Sequence, residues 1–423
     1  MRVSRRNFMK WAPGMAAIGV LRSGPLYATR GIPRIVVAGG GFAGLNFAHA
    51  LKQLAPAADI IVIEQNPRYV RCPGSNQVIA GFKPMESLTH QPALGLVRQG
   101  IRFLQGRITG MDADQRILHL EDGSRVGFDR LIAAPGIDFF WDKIEGYGKS
   151  QSLKVPHAWQ AGPQTQLLHD QLAALPEGGL FMMTVPANPY RCPPGPYERA
   201  SLIAARLQRV NPRAKILILD AKTKFSKEKG FKAAWTSLYP GMIEWISFET
   251  EGEIDHVDVE SRTVTTAFNR YRADVLNVIP PQKAGKLAET LGLTDETGWC
   301  PVDPVTFTSL KIPHVHVIGD ATRYGAVPKS AFAAQTEARA CALVIALSIL
   351  ETPPPEPRLI NHCYSLVSPE RAISVTGVYG VKKGALPEAL SVMESSPESD
   401  QHLEFAQAMD WYELLIRSTF EAP

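Results

Sequence analysis

Apolar residues fall along this chain in short continuous runs, separated by longer stretches in which they recur at helical spacing. Arg34 to Ala38 is such a run, Leu45 to Leu54 has the helical spacing, and Ile60 to Ile63 is a second run that closes on Glu64. Short runs bounded by turn residues predict buried parallel strands, and the spaced stretches predict helices packed on them. The pattern returns later: Leu180 to Val185 reads as a strand, Glu198 to Leu207 as a helix, Lys215 to Leu219 as a strand ending at Asp220, and Ile243 to Val278 as a β-rich return. A buried strand from His314 runs into Gly319-Asp320-Ala321, and a long helix follows from Lys329 to Leu350. The proline-rich segment Glu351 to Pro357 is a stiff linker. Beyond it come two strands, Cys363 to Val367 and Ala372 to Val378, a polar, serine-rich stretch from Met393 to Gln401, and a final helix, Phe405 to Phe420. The expected fold class is α/β, with two Rossmann-type domains and a small C-terminal domain.

The two strand-to-helix turns carry opposite chemistry. After the first strand, Gly39, Gly41 and Gly44 give the G-x-G-x-x-G spacing, and Glu64, twenty residues past Gly44, is placed to accept from ribose hydroxyls. This turn alone does not separate FAD from NAD. The equivalent turn in the second unit holds Pro186, Pro189, Pro193, Pro194 and Pro196 around one thiol, Cys192. Proline has no N–H and a fixed φ, so this loop is stiff and poor in phosphate donors. The expectation is a surviving βαβ scaffold that does not bind NAD(P)H, with a sulfur atom where nicotinamide would stack.

Composition changes the picture mainly at the N-terminus. With 45% hydrophobic and 20% charged residues over 423 positions, the chain is an ordinary globular protein long enough for two or three domains. Residues 1–28 hold Arg5-Arg6, an apolar stretch from Trp11 to Leu21 and a small-residue cleavage site at Leu26-Tyr27-Ala28, the order of a twin-arginine export signal. That segment is too short and interrupted to span a bilayer. It contains five basic residues and no acids; without it 40 basic residues face 41 acidic ones, so nothing in the remainder calls for nucleic acid. The five cysteines, at 72, 192, 300, 341 and 363, match no zinc spacing, and in an exported chain they allow a disulfide whose pairing spacing does not dictate.

Two segments point to a flavin. Phe128 to Gly136 resembles the point where two-dinucleotide flavoproteins cross out of the FAD domain, and Gly319-Asp320 resembles their second FAD motif, whose aspartate binds the ribityl chain. The helix that begins near Lys329-Ser330 would direct its N-terminus at the pyrimidine edge of the ring. A strand-end turn with a helix cap is the structural alternative. The expected division is an FAD domain over 29–149 and 281–350, a degenerate second dinucleotide-binding-like domain over 150–280 and a C-terminal domain over 351–423.

Pro156-His157-Ala158-Trp159, Arg191 to Ser201, Ile279-Pro280-Pro281-Gln282, Gly298 to Asp303 and Asn361-His362-Cys363-Tyr364-Ser365 resemble the flavoprotein subunit of flavocytochrome c sulfide dehydrogenase. The likeness covers most of the chain and weakens after about Tyr379. That family is related to the sulfide:quinone oxidoreductases, in the glutathione-reductase-like fold. The resemblance implies FAD, a redox-active disulfide between Cys192 and Cys363, a nearby carboxylate at Glu198, and a thioether from Cys72 to the flavin. It also implies a periplasmic c-type cytochrome partner carrying the haem, since no Cys-x-x-Cys-His occurs here. Hydrosulfide would open the disulfide, leaving a persulfide on one cysteine and a thiolate on the other, from which electrons pass to FAD. The alternative for the pair is a structural crosslink, and for Glu198 a first-turn acid favourable to the helix dipole. Arg71 and Pro73 flank Cys72 where the family pattern has other residues. Cys341, on an apolar helix face, reads as core; Cys300 receives no redox role, and no metal site is expected. Sulfide:quinone reductase, with Phe405 to Phe420 as its membrane-facing helix, and a non-catalytic sulfur-oxidation accessory flavoprotein are the competing functions.

Overall fold

The computed structural model describes residues 32–382 and 384–421, so the predicted export signal lies outside the described residues. In chain order the elements that position the site are β1 (Arg34–Ala38), α1 (Phe42–Leu54), β2 (Asp59–Glu64), α2 (Ser75–Ile79), β3 (Arg102–Gln105) and β4 (Arg130–Ala133). The second unit contains β5 (Leu180–Val185), α3 (Gly195–Val210), β6 (Lys215–Asp220), α4 (Glu228–Leu238), β7 (Ile243–Ile246) and β8 (Val275–Val278). The chain then supplies β9 (Val315–Val317), α5 (Ala331–Ile349), β10 (Arg358–Ser368), β11 (Arg371–Gly380), β12 (Glu388–Glu394) and α6 (Gln401–Ile416).

Two parallel sheets result, in the orders β9-β4-β1-β2-β3 and β7-β6-β5-β8. In both, the first strand lies between the second and the fourth, and a three-stranded antiparallel meander separates the third from the fourth. The duplicated pattern of the sequence is therefore a duplicated topology. Each first strand is buried on both faces, which its continuous apolar run requires. The helix α5 is long and apolar enough by composition to cross a bilayer, but it is a core helix packed on α1 and β10.

Three local expectations need correction. The helix of the second unit starts at Gly195, not Glu198, because Pro196 sits in its first turn, where an N–H has no intrahelical partner to lose. The C-terminal region has a third strand, β12, which pairs antiparallel with β11. All seven of its residues are exposed, so burial imposed no alternation on its sequence. The last helix begins at Gln401, capped by Asp400. Most of its large apolar residues turn inward, since Leu415 and Ile416 are buried and Trp411 and Tyr412 line the main cavity, whereas Leu403 and Leu414 are exposed.

Candidate active site

A cavity of about 1020 Å³ runs between the two parallel sheets and the C-terminal sheet. Its floor is the turn after β1, where φ is +117° at Gly39 and a Cβ on Gly44 would collide with the Gly39 carbonyl. Gly44 thus lets α1 close on the turn rather than lining the cavity itself, whereas Gly39, Gly41 and Gly136 do line it. Glu64 closes β2 with Oε2 accepting the Gly40 N–H at 2.8 Å and Oε1 accepting the Asn66 N–H at 2.9 Å. Gly319, φ +76°, stands behind the wall and donates its N–H to Glu337 Oε2 at 2.8 Å. Asp320 does face the cavity, and its Oδ1 is buried without a hydrogen-bond partner among the described residues.

That orphaned oxygen is the observation by which a flavin can be tested, since buried acceptors are normally satisfied. A ribityl hydroxyl would satisfy it, the glycine turn gives a pyrophosphate close access to the backbone, and the volume suits a large cofactor. The residues present fit FAD. The N-terminus of α5, capped by Ser330 Oγ accepting from the Ala333 N–H at 3.0 Å, opens on the same cavity. Lys329 does not: its ammonium donates to the carbonyls of Asp320 at 2.8 Å and Thr322 at 2.7 Å, lies over Trp299, and borders a separate groove. The Lys329 side chain therefore reaches the site through the Asp320 backbone, not by facing the cavity.

The proline loop forms the opposite wall. Three of its N–H groups are engaged within the protein: Arg191 donates to Gln282 Oε1 at 2.8 Å, Cys192 to the Lys329 carbonyl at 2.7 Å and Gly195 to the Cys192 carbonyl at 2.9 Å. Cys192 itself holds φ +59°, a left-handed conformation unfavourable for a residue with a Cβ, and a Cβ on Gly195 would press on its Sγ at 2.9 Å. Cys363, on β10, lines the same cavity, and it lies near enough to Cys192 to raise the cost of ionising the Cys192 thiol. No disulfide joins them in this structure. Burial pushes both thiols up, Cys192 far above its ordinary range.

Glu198 lines the cavity beside them. Its Oε2 accepts from Asn76 Nδ2 at 2.7 Å and its Oε1 from the Leu366 N–H at 3.0 Å, so the carboxylate bridges α2, α3 and β10. Burial holds its carboxyl above the ordinary value, opposed by those two donors and by Lys227 and Arg199. Cys72 also faces the cavity, with Sγ accepting from Arg191 Nη2 at 3.2 Å. Its neighbour Arg71 is drawn away from the thiol, bonding Tyr412 Oη, the Pro73 carbonyl and the Ser87 carbonyl.

Sequence reasoning missed three buried groups. Arg199, 1% exposed, donates to Asn76 Oδ1, Asn277 Oδ1 and the carbonyls of His157 and Ala158, tying the second unit to α2; burial pushes it down to about 9. Glu337 sits behind Gly319, and burial raises it to about 8. Lys227 lies beneath Cys363. Arg199 was within the motif that carried the resemblance, whereas nothing in the local sequence distinguishes Lys227 from the surface lysines around it. Cys300 and Cys341 are fully buried, and among the described residues no cluster of three His, Cys, Asp or Glu could hold a metal.

Comparison with known proteins converges on this geometry. Residues 33–164 match the family described as pyridine nucleotide-disulphide oxidoreductase. Residues 165–280 match the central region of the sulfide dehydrogenase [flavocytochrome c] flavoprotein chain, and residues 355–420 match the flavocytochrome c sulphide dehydrogenase flavin-binding region. The sulfide dehydrogenase [flavocytochrome c] flavoprotein chain of Chlorobaculum thiosulfatiphilum is 42% identical over 48 residues, 11% of this chain and the whole of that sequence. The chain belongs to the flavocytochrome c sulfide dehydrogenase flavoprotein family. The mitochondrial sulfide:quinone oxidoreductase of Mus musculus is 24% identical over 354 residues, 76% of this chain and 74% of the mouse protein. The solved sulfide:quinone oxidoreductase of Aquifex aeolicus superposes with a TM-score of 0.73 at 17% identity, over 92% of each chain, and shows the shared fold. This flavocytochrome c-type flavoprotein is an FAD oxidoreductase of the sulfide-oxidising class.

Proposed function

We propose that the protein is the exported, periplasmic flavoprotein subunit of a sulfide dehydrogenase that oxidises sulfide through Cys192 and Cys363 and delivers electrons to a c-type cytochrome subunit bearing the haem. The observation that carries this reading is the meeting of two thiols 171 positions apart on the wall of the cavity that opens at the glycine turn, with the Glu198 carboxylate on the same wall. In the oxidised pair, hydrosulfide attacks one sulfur. The bond between the cysteines breaks, one cysteine carries the new persulfide, and the other keeps the electron pair as a thiolate. Glu198 receives or returns the proton that distinguishes hydrogen sulfide from hydrosulfide. FAD, when bound, supplies a relay from two-electron sulfur chemistry to one-electron acceptors. Cys72 is the candidate anchor for that flavin, its Sγ facing the cavity and accepting from Arg191 Nη2.

The family relationship to sulfide:quinone oxidoreductases makes quinone the competing acceptor. Anaerobic addition of sulfide to the holoprotein is expected to bleach the flavin, and cytochrome c, not a soluble quinone, is expected to restore the colour. Reoxidation by the quinone alone would overturn the acceptor assignment. Bleaching that survives in Cys192→Ser and Cys363→Ser would overturn the disulfide mechanism, and flavin released from the denatured polypeptide would exclude the Cys72 bond.

A further inference from the structure

Lys227 precedes α4 in a left-handed conformation, φ +61°, and is 2% exposed. Its ammonium donates to Ser365 Oγ at 2.7 Å, to the Cys363 carbonyl at 3.2 Å and to the Ile373 carbonyl at 3.5 Å. All three acceptors are neutral. The neighbouring lysines differ: Lys222 pairs with Asp220 at 2.6 Å and Lys232 with Glu228 at 2.7 Å, while Lys224 and Lys229 are exposed to water. Lys227 makes no ion pair among the described residues, yet it is the more deeply buried. An ammonium taken out of water without a partner charge is unfavourable, and a folded chain keeps one where a negative charge forms nearby.

The groups facing it identify that charge. From β10 come the Cys363 thiol and the His362 imidazole, from the proline loop Cys192, from α3 Glu198, and from β12 Glu394, whose Oε1 accepts the Lys227 backbone N–H at 2.6 Å. Burial pushes the Lys227 ammonium towards its neutral form, and the Cys363 thiol leads the groups that oppose this, ahead of Glu198, Cys192 and Glu394. Cys363 and Ser365 lie two residues apart on β10, so one face of that strand presents both the sulfur and the hydroxyl that fixes the ammonium.

We propose that Lys227 is the positioning residue that supplies the counter-charge to the Cys363 sulfur, making Cys363 the leaving group and Cys192 the carrier of the sulfane sulfur. This rests on the dithiol mechanism proposed above and adds a direction to it. The hydrosulfide sulfur bonds to Cys192 Sγ, the bond between Cys192 and Cys363 breaks, and its electron pair stays on Cys363 Sγ. One negative charge enters and one remains, so no further reductant or proton is needed. Because three acceptors hold the ammonium, its field on Cys363 is present before the charge develops. Lys227 and Arg191 also act on Cys192, but there the neighbouring Cys363 and Glu198 charges outweigh them, whereas at Cys363 Lys227 leads the neighbouring charges; the Arg191 guanidinium is committed to Cys72 Sγ and the Trp159 carbonyl.

The test uses the full chain with its flavin, reduced, and follows alkylation of Cys363 by iodoacetamide against pH, with the modified peptide quantified by mass spectrometry. A nearby opposite charge lowers a thiol pKa by about 1–3 units, so Cys363 alkylation at pH 7.5 is expected to fall about tenfold or more in Lys227→Met. Lys227→Arg is expected to recover most of that loss. A lysine with only a structural role would lower the melting temperature of Lys227→Met and leave the alkylation profile of Cys363 where it was; that result overturns the proposal. Should Lys227→Met not fold, Ser365→Ala frees the ammonium and is expected to slow Cys363 in the same direction, and an unchanged profile there also overturns it. Failure of the underlying mechanism is separate, being read from flavin bleaching in the cysteine variants and not from these profiles.

Discussion

Replacing Glu198 by glutamine separates the two roles that this carboxylate can have. Both of its oxygens accept from donors, Asn76 Nδ2 at 2.7 Å and the Leu366 N–H at 3.0 Å. A glutamine amide has one oxygen, so whichever way it turns its NH₂ meets one of these donors. Asn76 cannot invert to relieve the clash, because its Oδ1 accepts Arg199 Nε at 3.0 Å. One buried donor therefore loses its acceptor, at about 1–3 kcal/mol. The same change removes proton exchange beside the thiols, which general acid–base catalysis values at about 100-fold or more in rate. Since burial raises the Glu198 carboxyl above 4.5, its protonated form favours folding. That contribution is complete below pH 4.5 and is lost as pH rises through the shifted value. Stopped-flow bleaching of the flavin by sulfide across pH is the assay. The wild type is expected to show a rise in rate above pH 4.5 as Glu198 loses its proton, and Glu198→Gln to lose both the rise and about two orders of magnitude in rate. A variant that melts earlier but keeps the wild-type rate and pH limb would refute the catalytic role and leave Glu198 as a bridge between α2, α3 and β10.

Gly44→Ala places a Cβ against the Gly39 carbonyl and at 3.1 Å from Val37 Cγ1, so α1 can no longer close on the turn. The expected outcome is a folded protein with most of its flavin lost, measured as absorbance near 450 nm per polypeptide. Full flavin content would show that the turn has more freedom than its geometry implies. His157 and His316, 3% and 5% exposed, are driven by burial down to about 3 and about 4 from 6.5. Each favours the fold as a neutral ring, an effect complete above pH 6.5 and lost as pH falls towards 4, at about 3 kcal/mol for such a group. Urea melts at pH 7 and pH 4.5 should therefore differ by several kcal/mol, and the difference should shrink in His316→Asn. An unchanged difference in that variant would place the acid sensitivity elsewhere.

The sequence by itself determined the parts of this protein that rest on local periodicity and turn chemistry. Continuous apolar runs at Arg34–Ala38 and Leu180–Val185 are strands with those bounds, because a strand covered on both faces leaves no polar position to blur its ends. The glycine turn was legible because only glycine permits the backbone approach it makes, and the proline loop because proline removes donors wherever it stands. The strand Glu388–Glu394 was not legible: it lies wholly exposed at a sheet edge, where burial writes no pattern. Tertiary structure alone decided which charges are buried together. Lys222, Lys227 and Lys232 are one residue type on one stretch, and two make ion pairs while the third is enclosed beneath Cys363. Lys329, adjacent to the right helix, proved to bond the backbone of Asp320 instead of facing the cavity. Solvation and electrostatics depend on what the rest of the chain brings within a few ångströms, and that is set by topology across more than a hundred positions of sequence.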